Sequence, residues 1–459
     1  MEKIKRKDVK MEDASIKENN ITSNLKGYLF FWSGQLTSLL GSNIVQFVLI
    51  WWITVKTESA IYLSLSAFIG FAPTILLTPV AGVLVDRLNR KGLLGSVDFL
   101  QALATVVLLF LFRLEIATVS ILLGFIAIRG VFQAFHTPAI QALIPIMIPR
   151  KHLNRFNSID FFMSSVIFMI GPLVAAVLYA AFPMHQILWI DAATFLVAVI
   201  PLILIKIPKI KKDEILKKVQ KSSFYAELKE GISFIREKKG LLSLLSVFTA
   251  ANLVFMPLFV LMNLFVIEHG GGEIQLSYVL AFNQAGTIAG SLLFIVWKGF
   301  NKKVNGVALG ILIAYIGYIV TTVTPLGLFW FMGIGMLITG FALPMANISS
   351  QTIWQTVVPK EKLGRVMSVR ITIAQMTAPV GMILSGFIAE AISIKYLFMA
   401  SAILGTLALA SSWFFTSFRK VEDDIVYDED ESVEEISEIP SIEFSSIDIE
   451  QVQTSSVKD

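Results

Sequence analysis

The chain of 459 residues is 55% hydrophobic and only 16% charged, with a mean hydropathy of +0.72. Because so apolar a chain cannot place a polar surface around an ordinary soluble core, the composition excludes a soluble globular protein and predicts a membrane protein. No cysteine is present, so disulfides and thiolate metal sites are excluded. The sequence contains neither an H-E-x-x-H pair nor a G-x-x-x-x-G-K-[ST] loop, so we expect no metalloprotease, no ATP-driven pump, no other enzyme and no bound cofactor or metal.

Both ends of the chain are polar, but they carry opposite charge. Residues 421–459 contain fourteen Asp and Glu against one Lys. This composition predicts a disordered acidic tail over residues 418–459. Residues 1–26 are rich in Lys, and the first apolar run begins only at Gly27 and is too long for a cleaved signal peptide. We therefore predict a basic N-terminal tail followed by a retained helix.

Apolar runs of the length that crosses a bilayer, about 20 residues, recur twelve times between charged segments. They predict two six-helix bundles at 27–205 and 241–417, separated by a soluble linker at 206–240. The predicted spans are 27–54, 61–85, 93–112, 118–142, 156–180, 186–205, 241–267, 275–297, 305–323, 328–355, 365–390 and 395–417.

The connections between spans alternate in charge. Lys and Arg are concentrated in the N-terminal tail and after every second span, whereas the other connections hold only Lys56, Arg113 and Lys395. The positive-inside rule then places both termini in the cytoplasm. Within the linker, Phe224, Leu228, Ile232 and Ile235 recur at helical spacing and predict an amphipathic helix, either a simple linker or a regulatory docking site.

An internal repeat relates the two predicted bundles. Residues 149–158 match residues 359–368 at an offset of 210, and the same offset pairs Gln141 with Gln351 and Gly130 with Gly340. Both copies lie between a fourth and a fifth span. Parallel repeats of this kind are typical of transporters that bind substrate between two halves. Chance similarity of short basic loops is the alternative.

The loop between the second and third spans, GVLVDRLNRK, resembles the signature loop of the major facilitator superfamily, G-x-L-x-D-R-x-G-R-K, with Asn89 at a position where Gly is usual. The resemblance implies an all-α membrane protein with the major facilitator fold, in which twelve transmembrane helices form two six-helix parallel repeats. We expect a close helix approach at the glycine and a conformational latch at the charged residues, with Arg370 as a structural partner of the acid. The predicted latch residues are Gly82, Asp86, Arg87, Arg90, Lys91 and Arg370.

A single arginine, Arg129, lies near the middle of the fourth span, where it costs about 2.5–3.5 kcal/mol on insertion scales. Such a residue must face a cavity or a partner. Arg129 and Gln133 resemble the R-x-x-x-G pattern of the superfamily's fourth helix, with Gln in place of Gly, and in that family the Arg is linked to proton coupling. Gln133 and His136 share its helix face. Purely structural pairing is the alternative.

Gly171 and Pro172 in the fifth span resemble the antiporter signature G-x-x-x-G-P-x-x-G-G, although Ile167, Ala175 and Ala176 replace three of its glycines. A Gly-Pro pair bends a helix, and small neighbours allow close packing. The eleventh span contains a weaker counterpart around Pro379. The pattern favours antiport over symport.

Few acidic residues are predicted to be buried within the spans: Asp98, Asp160, Asp191 and Glu390. A carboxyl buried in a helix bundle can bind and release a proton as its access to water alternates. We rank Asp98 first and Asp191 second as the proton-coupling acid, together with Arg129. Snorkelling towards water, or a structural ion pair, is the alternative for each acid.

Major facilitator proteins line their substrate cavity with the first, fourth, seventh and tenth spans. Amide and aromatic side chains in these spans, without a dense charge cluster, suit a bulky amphiphilic ligand. The candidate cavity residues are Gln35, Ser42, Gln46, Gln133, His136, Asn252, Asn263, Asn347 and Gln351.

Four segments, at 64–73, 85–87, 134–139 and 363–366, resemble the macrolide-efflux branch of drug exporters, which is related to enterobactin exporters. The resemblance covers residues 27–417. It implies export of small hydrophobic compounds in exchange for protons, driven by the proton-motive force across a prokaryotic cell membrane. We expect a monomer that contacts the lipid bilayer and no nucleic acid. The alternatives are a siderophore or peptide-antibiotic exporter, a channel, and a transporter-like sensor or scaffold that uses the acidic tail.

Overall fold

A computed structural model describes residues 2–148, 150–205, 224–297 and 299–423, and these residues form helices without any strand. Most of the predicted linker and the predicted acidic tail beyond residue 423 lie outside them. The helices are α1 Glu2–Thr57, α2 Ala60–Arg87, α3 Arg90–Arg113, α4 Val119–Met147, α5 Arg150–Ala181, α6 Met184–Leu204, α7 Phe224–Glu237, α8 Lys239–Glu268, α9 Glu273–Val296, α10 Lys303–Thr322, α11 Phe329–Val357, α12 Lys360–Ile392 and α13 Ile394–Phe415, followed by a 3₁₀ turn at Ser417–Lys420.

Within the described residues, twelve helices are long and apolar enough to cross a membrane, which confirms the predicted number of spans. The first runs from Gly27 to Thr57 and the last from Ile394 to Phe415, within a few residues of the predicted bounds. The N-terminal tail differs from the prediction in one respect, because α1 continues without a break from Glu2 into the first span.

The two six-helix halves, α1–α6 and α8–α13, have the same internal packing. The pairs α2–α4, α1–α6 and α3–α6 of the first half correspond to α9–α11, α8–α13 and α10–α13 of the second half. Two further pairs, α5–α9 and α2–α12, join the halves and are related by the same correspondence. The fold is therefore that of two parallel six-helix repeats, as the sequence predicts.

The offset of 210 residues is visible in the packing itself. Helices α5 and α12 begin at Arg150 and Lys360. A Cβ on Gly130 would meet the main chain of Gly70 in α2, and a Cβ on Gly340 would meet the main chain of Asn283 in α9. Both glycines thus allow the fourth helix of a half to touch its second helix, a close approach that small residues permit.

The ends of the helix bundle differ in charge and in contacts. We call the end that contains the α2–α3 and α4–α5 connections the basic end, and the other the opposite end. At the opposite end the halves touch: Ser59 Oγ donates to Glu390 Oε1 at 2.5 Å, and Asn263 Nδ2 donates to Thr54 Oγ1 at 3.5 Å. Glu390 was predicted to be buried, and this is wrong, because it lies in the last turn of α12 and is exposed.

The predicted amphipathic helix is present as α7 and packs against α8 and α12 at the basic end. Ile235 is buried against this surface. Glu230 forms an ion pair with Arg365 of α12 and lies 3.7 Å from Lys362 Nζ. The helix is thereby fixed to the second half of the protein.

Candidate functional site

The mid-span arginine has a carboxylate partner. Arg129 Nη1 in α4 lies 3.3 Å from Asp191 Oδ2 in α6, and the two side chains are only 13% and 8% exposed. Asp191 also accepts hydrogen bonds from Ser42 Oγ in α1 at 2.8 Å and from Thr105 Oγ1 in α3 at 2.6 Å. One buried carboxylate therefore connects four helices of the first half. Such an arrangement satisfies the expectation that Arg129 faces a partner.

A second polar cluster surrounds Asp98 in α3. His136 Nε2 in α4 lies 3.1 Å from Asp98 Oδ1, and Gln35 Nε2 in α1 donates to Asp98 Oδ2 at 3.5 Å. Three residues that the sequence assigned separately, to proton coupling and to the cavity, thus form one group. The third intramembrane acid of this half, Asp160, accepts a hydrogen bond of 2.5 Å from the indole nitrogen of Trp32.

Sequence reasoning missed Thr105, although a signal was present. Thr105 lies seven residues after Asp98 on α3, so both face the same side of the helix. Thr105 is fully buried. A hydroxyl on the same buried face as a predicted functional acid is a reasonable candidate for a second polar contact.

The signature loop contacts helix ends within the first half. Asn89 caps α3, since its side-chain oxygen accepts from the main-chain nitrogens of Lys91 and Gly92. Lys91 Nζ donates to the carbonyl oxygens of Ile203 and Ile205, at 2.7 and 2.8 Å, at the end of α6. The residue that departs from the family signature therefore has a capping function.

The structure describes only some of the other residues that were predicted to form the latch. Arg90 Nη1 donates to the carbonyl of Ala142 at 3.2 Å. The side chains of Asp86 and Arg87 lie outside the described residues, so the latch and the pairing of Asp86 with Arg370 remain predictions. The close approach expected at Gly82 is not found: a Cβ there would meet no atom of the described residues within 4 Å. Helix α2 touches α12 near the opposite end instead.

The antiporter-like motif forms a close contact between α5 and α1. A Cβ on Gly171 would meet the side chain of Asn43 in α1, and Pro172 lies inside α5. Ala175 and Ala176 are buried. The 210-residue counterpart, Gly381 in α12, packs in the same way against α8.

The candidate cavity residues of the second half divide into two groups. Asn252 donates to the carbonyl of Ala374 at 3.0 Å and Asn263 to Thr54, so both amides are engaged in helix contacts. Asn347 and Gln351 instead line an open cavity of about 450 Å³ together with Arg370. In the first half, Gln46 and Gln133 are exposed, and Gln133 donates to Thr137 at 3.0 Å.

Comparisons with known proteins agree with this architecture. The profile of the Major Facilitator Superfamily matches residues 31–375 and 300–432. The chain is 30% identical to macrolide efflux protein A of Streptococcus pyogenes, over 81% of this chain and 92% of that protein. It is 24% identical to the multidrug efflux pump Tap of Mycolicibacterium fortuitum, over 82% of this chain and 93% of that protein.

A solved structure shares the fold at low sequence identity. A bacterial homologue of the human lysosomal transporter Spinster, crystallised in an inward-facing conformation, superposes with a TM-score of 0.64 and 15% identity, covering 88% of this chain and 99% of that one. Together with the twelve spans and the paired repeats, these matches show that the chain belongs to the Major Facilitator Superfamily and is a multi-pass membrane transporter.

Proposed function

We propose that this transporter exports bulky hydrophobic or amphiphilic compounds, of the macrolide-like class, by proton antiport through alternating access. The similarity to macrolide efflux protein A over most of both chains supports the substrate class. The observation that supports proton coupling is the buried Arg129–Asp191 pair, which joins α4 to α6. Its carboxylate also accepts hydrogen bonds from hydroxyls of α1 and α3. No bound cofactor is needed, since the proton-motive force drives export.

Protonation of Asp191 would change this cluster in a defined way. A neutral carboxyl no longer attracts the guanidinium of Arg129, and one of its oxygens becomes a hydrogen-bond donor. Ser42 and Thr105 now donate to different oxygens of the carboxylate, so the hydroxyl that faces the protonated oxygen must reorient to accept. Because the four residues belong to four helices, the protonation state biases how those helices pack, which is what alternating access requires.

Asp98 and His136 form a second site that can hold a proton. Our ranking from sequence placed Asp98 first, but the contacts now favour Asp191, since only Asp191 is paired with the mid-span arginine. In the proposed mechanism Asp191 is the coupling acid, and the Asp98 cluster connects it to the basic end.

Uptake of radiolabelled erythromycin into everted membrane vesicles tests the coupling. We expect Asp191→Asn and Arg129→Ala to insert normally but to abolish uptake that follows an imposed proton gradient. Asp160→Asn is the matched control, because Asp160 is bonded to a neutral indole, and it should retain gradient-driven uptake. Gradient-driven uptake by Asp191→Asn at the wild-type rate would exclude Asp191 as the coupling acid.

The substrate class is tested separately. A strain that expresses the chain should tolerate higher macrolide concentrations than the same strain expressing Asp191→Asn. Unchanged macrolide tolerance, combined with increased siderophore release, would replace the proposed substrate with a siderophore.

We also propose that the protein resides as a monomer in a prokaryotic cell membrane, with its basic end and both termini in the cytoplasm. The charge distribution of the connections supports this orientation. Because the chain contains no cysteine, single-cysteine variants can be labelled without background. An impermeant maleimide added to intact cells should label Leu326→Cys, at the opposite end, but not Asn301→Cys, at the basic end. The reverse labelling pattern would show that the basic end faces the outside of the cell.

A further inference from the structure

The cavity of about 450 Å³ lies between α11 and α12. Its volume falls within the range of pockets that bind drug-sized ligands. Asn347, Gln351 and Gln355 line it at intervals of four residues, so they form one polar row along α11. Arg370 of α12 is the charged residue among those that line this cavity.

Among the described residues, the guanidinium of Arg370 has only neutral neighbours. Nη1 donates to Gln351 Oε1 at 2.6 Å, and Nη2 lies 3.5 Å from Ser350 Oγ. Its carbon lies 5.5 Å from the ring centre of Trp354. None of the described carboxylates forms an ion pair with it. With five N–H donors in a planar fork, the group retains donors that these two oxygens do not satisfy.

The position of Arg370 makes the absence of a counter-charge among the described residues costly. Arg370 lies eight residues, or about 12 Å, beyond Lys362, where its membrane span begins. Arginines at such depth pair with acids or face a water-filled cavity, and they often mark a substrate pathway. Arg129, in the first half, has its acid. Arg370 faces a cavity instead.

The internal repeat does not require an arginine at position 370. At an offset of 210 residues, the position equivalent to Arg370 in the first half is Asp160, which is bonded to Trp32. The two halves therefore carry opposite charges at equivalent positions. The positive charge at this position is therefore specific to the second half, and the common packing of the repeats does not require it.

We propose that Arg370 binds the carboxylate of acidic amphiphiles, a class of ligand beyond the macrolides, which carry no carboxylate. The planar guanidinium matches a carboxylate through two parallel hydrogen bonds. The amides of Gln351 and Gln355 supply further donors beside it, and Ile348 provides apolar surface for the body of the ligand. This inference rests on the proposed export of amphiphilic compounds, and it adds acidic amphiphiles to the ligands that the site accepts.

Equilibrium binding by the purified full-length protein in detergent tests the inference. The probe is 11-(dansylamino)undecanoate, detected by energy transfer from tryptophan, and the comparison ligand is its methyl ester. We expect the wild type to bind the acid at least tenfold more tightly than the ester. For Arg370→Gln, the two affinities should agree within twofold. Arg370→Lys, which keeps the charge but not the fork, should retain a reduced preference.

Two further variants keep the inference falsifiable if Arg370→Gln does not fold. Gln351→Glu places a carboxylate of the same shape against the guanidinium, so it should abolish the preference for the acid. Arg113→Gln, the same chemical change at an exposed arginine of the opposite end, should leave the preference at tenfold. Equal wild-type affinities for acid and ester, or an unchanged preference in Arg370→Gln or Gln351→Glu, would overturn the inference.

The binding measurement does not depend on proton coupling, because no proton gradient is applied. Asp191→Asn should retain the tenfold preference while losing coupled transport. Coupled export of a macrolide together with no preference for the acid would refute the role of Arg370 and leave the proposed function intact.

Discussion

The buried pair of Arg129 and Asp191 should be among the strongest single interactions in the first half, and a double-mutant cycle measures it. The cycle consists of Asp191→Asn, Arg129→Gln and the double variant. Both substitutions replace a charged group with a neutral amide of similar shape, so the change is mainly electrostatic. Each substitution made in the wild type should lower the free energy of unfolding strongly. The same substitution made when the partner is already replaced should lower it much less.

The distance between the two charged groups determines the expected coupling energy. Unit charges 3.3 Å apart attract by about 5 kcal/mol at an effective dielectric constant of about 20. Desolvation of both groups offsets part of this attraction. Loss of one partner leaves a charge buried and uncompensated, at a cost of about 3–5 kcal/mol. We therefore expect a coupling energy of about 2–3 kcal/mol between the two residues.

Unfolding in mixed detergent micelles, followed by the fluorescence of the eight tryptophans, gives the free energies. The control cycle uses Glu230→Gln and Lys362→Gln, whose side chains are 38% and 44% exposed. An exposed pair of this kind should couple by less than about 1 kcal/mol. A coupling below about 0.5 kcal/mol for Arg129 and Asp191 would refute the reasoning, since the pair would then be no stronger than a surface contact.

Three other substitutions, and one control on the same helix as the first, test the packing by the same unfolding assay. Gly130→Ala should cost about 1–3 kcal/mol, because its Cβ would meet the main chain of α2, whereas Gly124→Ala on the same helix meets open space and should be neutral or slightly stabilising. Lys91→Met removes two hydrogen bonds at the end of α6 and should cost about 1–3 kcal/mol. Glu422→Gln weakens the carboxylate cap on α10, with a loss of about 0.5–1 kcal/mol and faster hydrogen exchange at the Val304 amide.

The sequence predicted the fold well because lipid imposes a simple rule. A helix that contacts hydrocarbon must be apolar along about 20 residues, and charged residues then mark its ends. The repeat could be found because both copies of a basic loop occupy the same place in their halves. Glu390 was misplaced because hydropathy does not show whether a residue in the last turn of a helix is exposed.

The site was only partly predictable. Arg129 and Asp191 were each identified from the cost of burying a charge, but their pairing depends on how α4 and α6 are rotated, and 62 residues separate them. The failure at Gly82 has a similar origin: a glycine signals that close approach is allowed, and only the arrangement of the halves decides whether it occurs. The cap that Glu422 forms on α10 gave no signal, since the sequence assigned this residue to the acidic tail.

The proposed sites lie in different halves, and this constrains how they are coupled. In many simple schemes for antiport, proton and substrate compete for one carboxylate. Here the carboxylate paired with Arg129 belongs to the first half, whereas the head group of an acidic amphiphile is proposed to bind Arg370 in the second, so direct competition is not available. Coupling must instead pass through the helices that join the halves, α5 with α9 and α2 with α12. Such coupling requires that proton and substrate each bind one arrangement of these helices more tightly than the other. A substitution that loosens the α2–α12 contact, such as Gly386→Leu, should therefore reduce the substrate transported per proton, although it touches neither Asp191 nor Arg370.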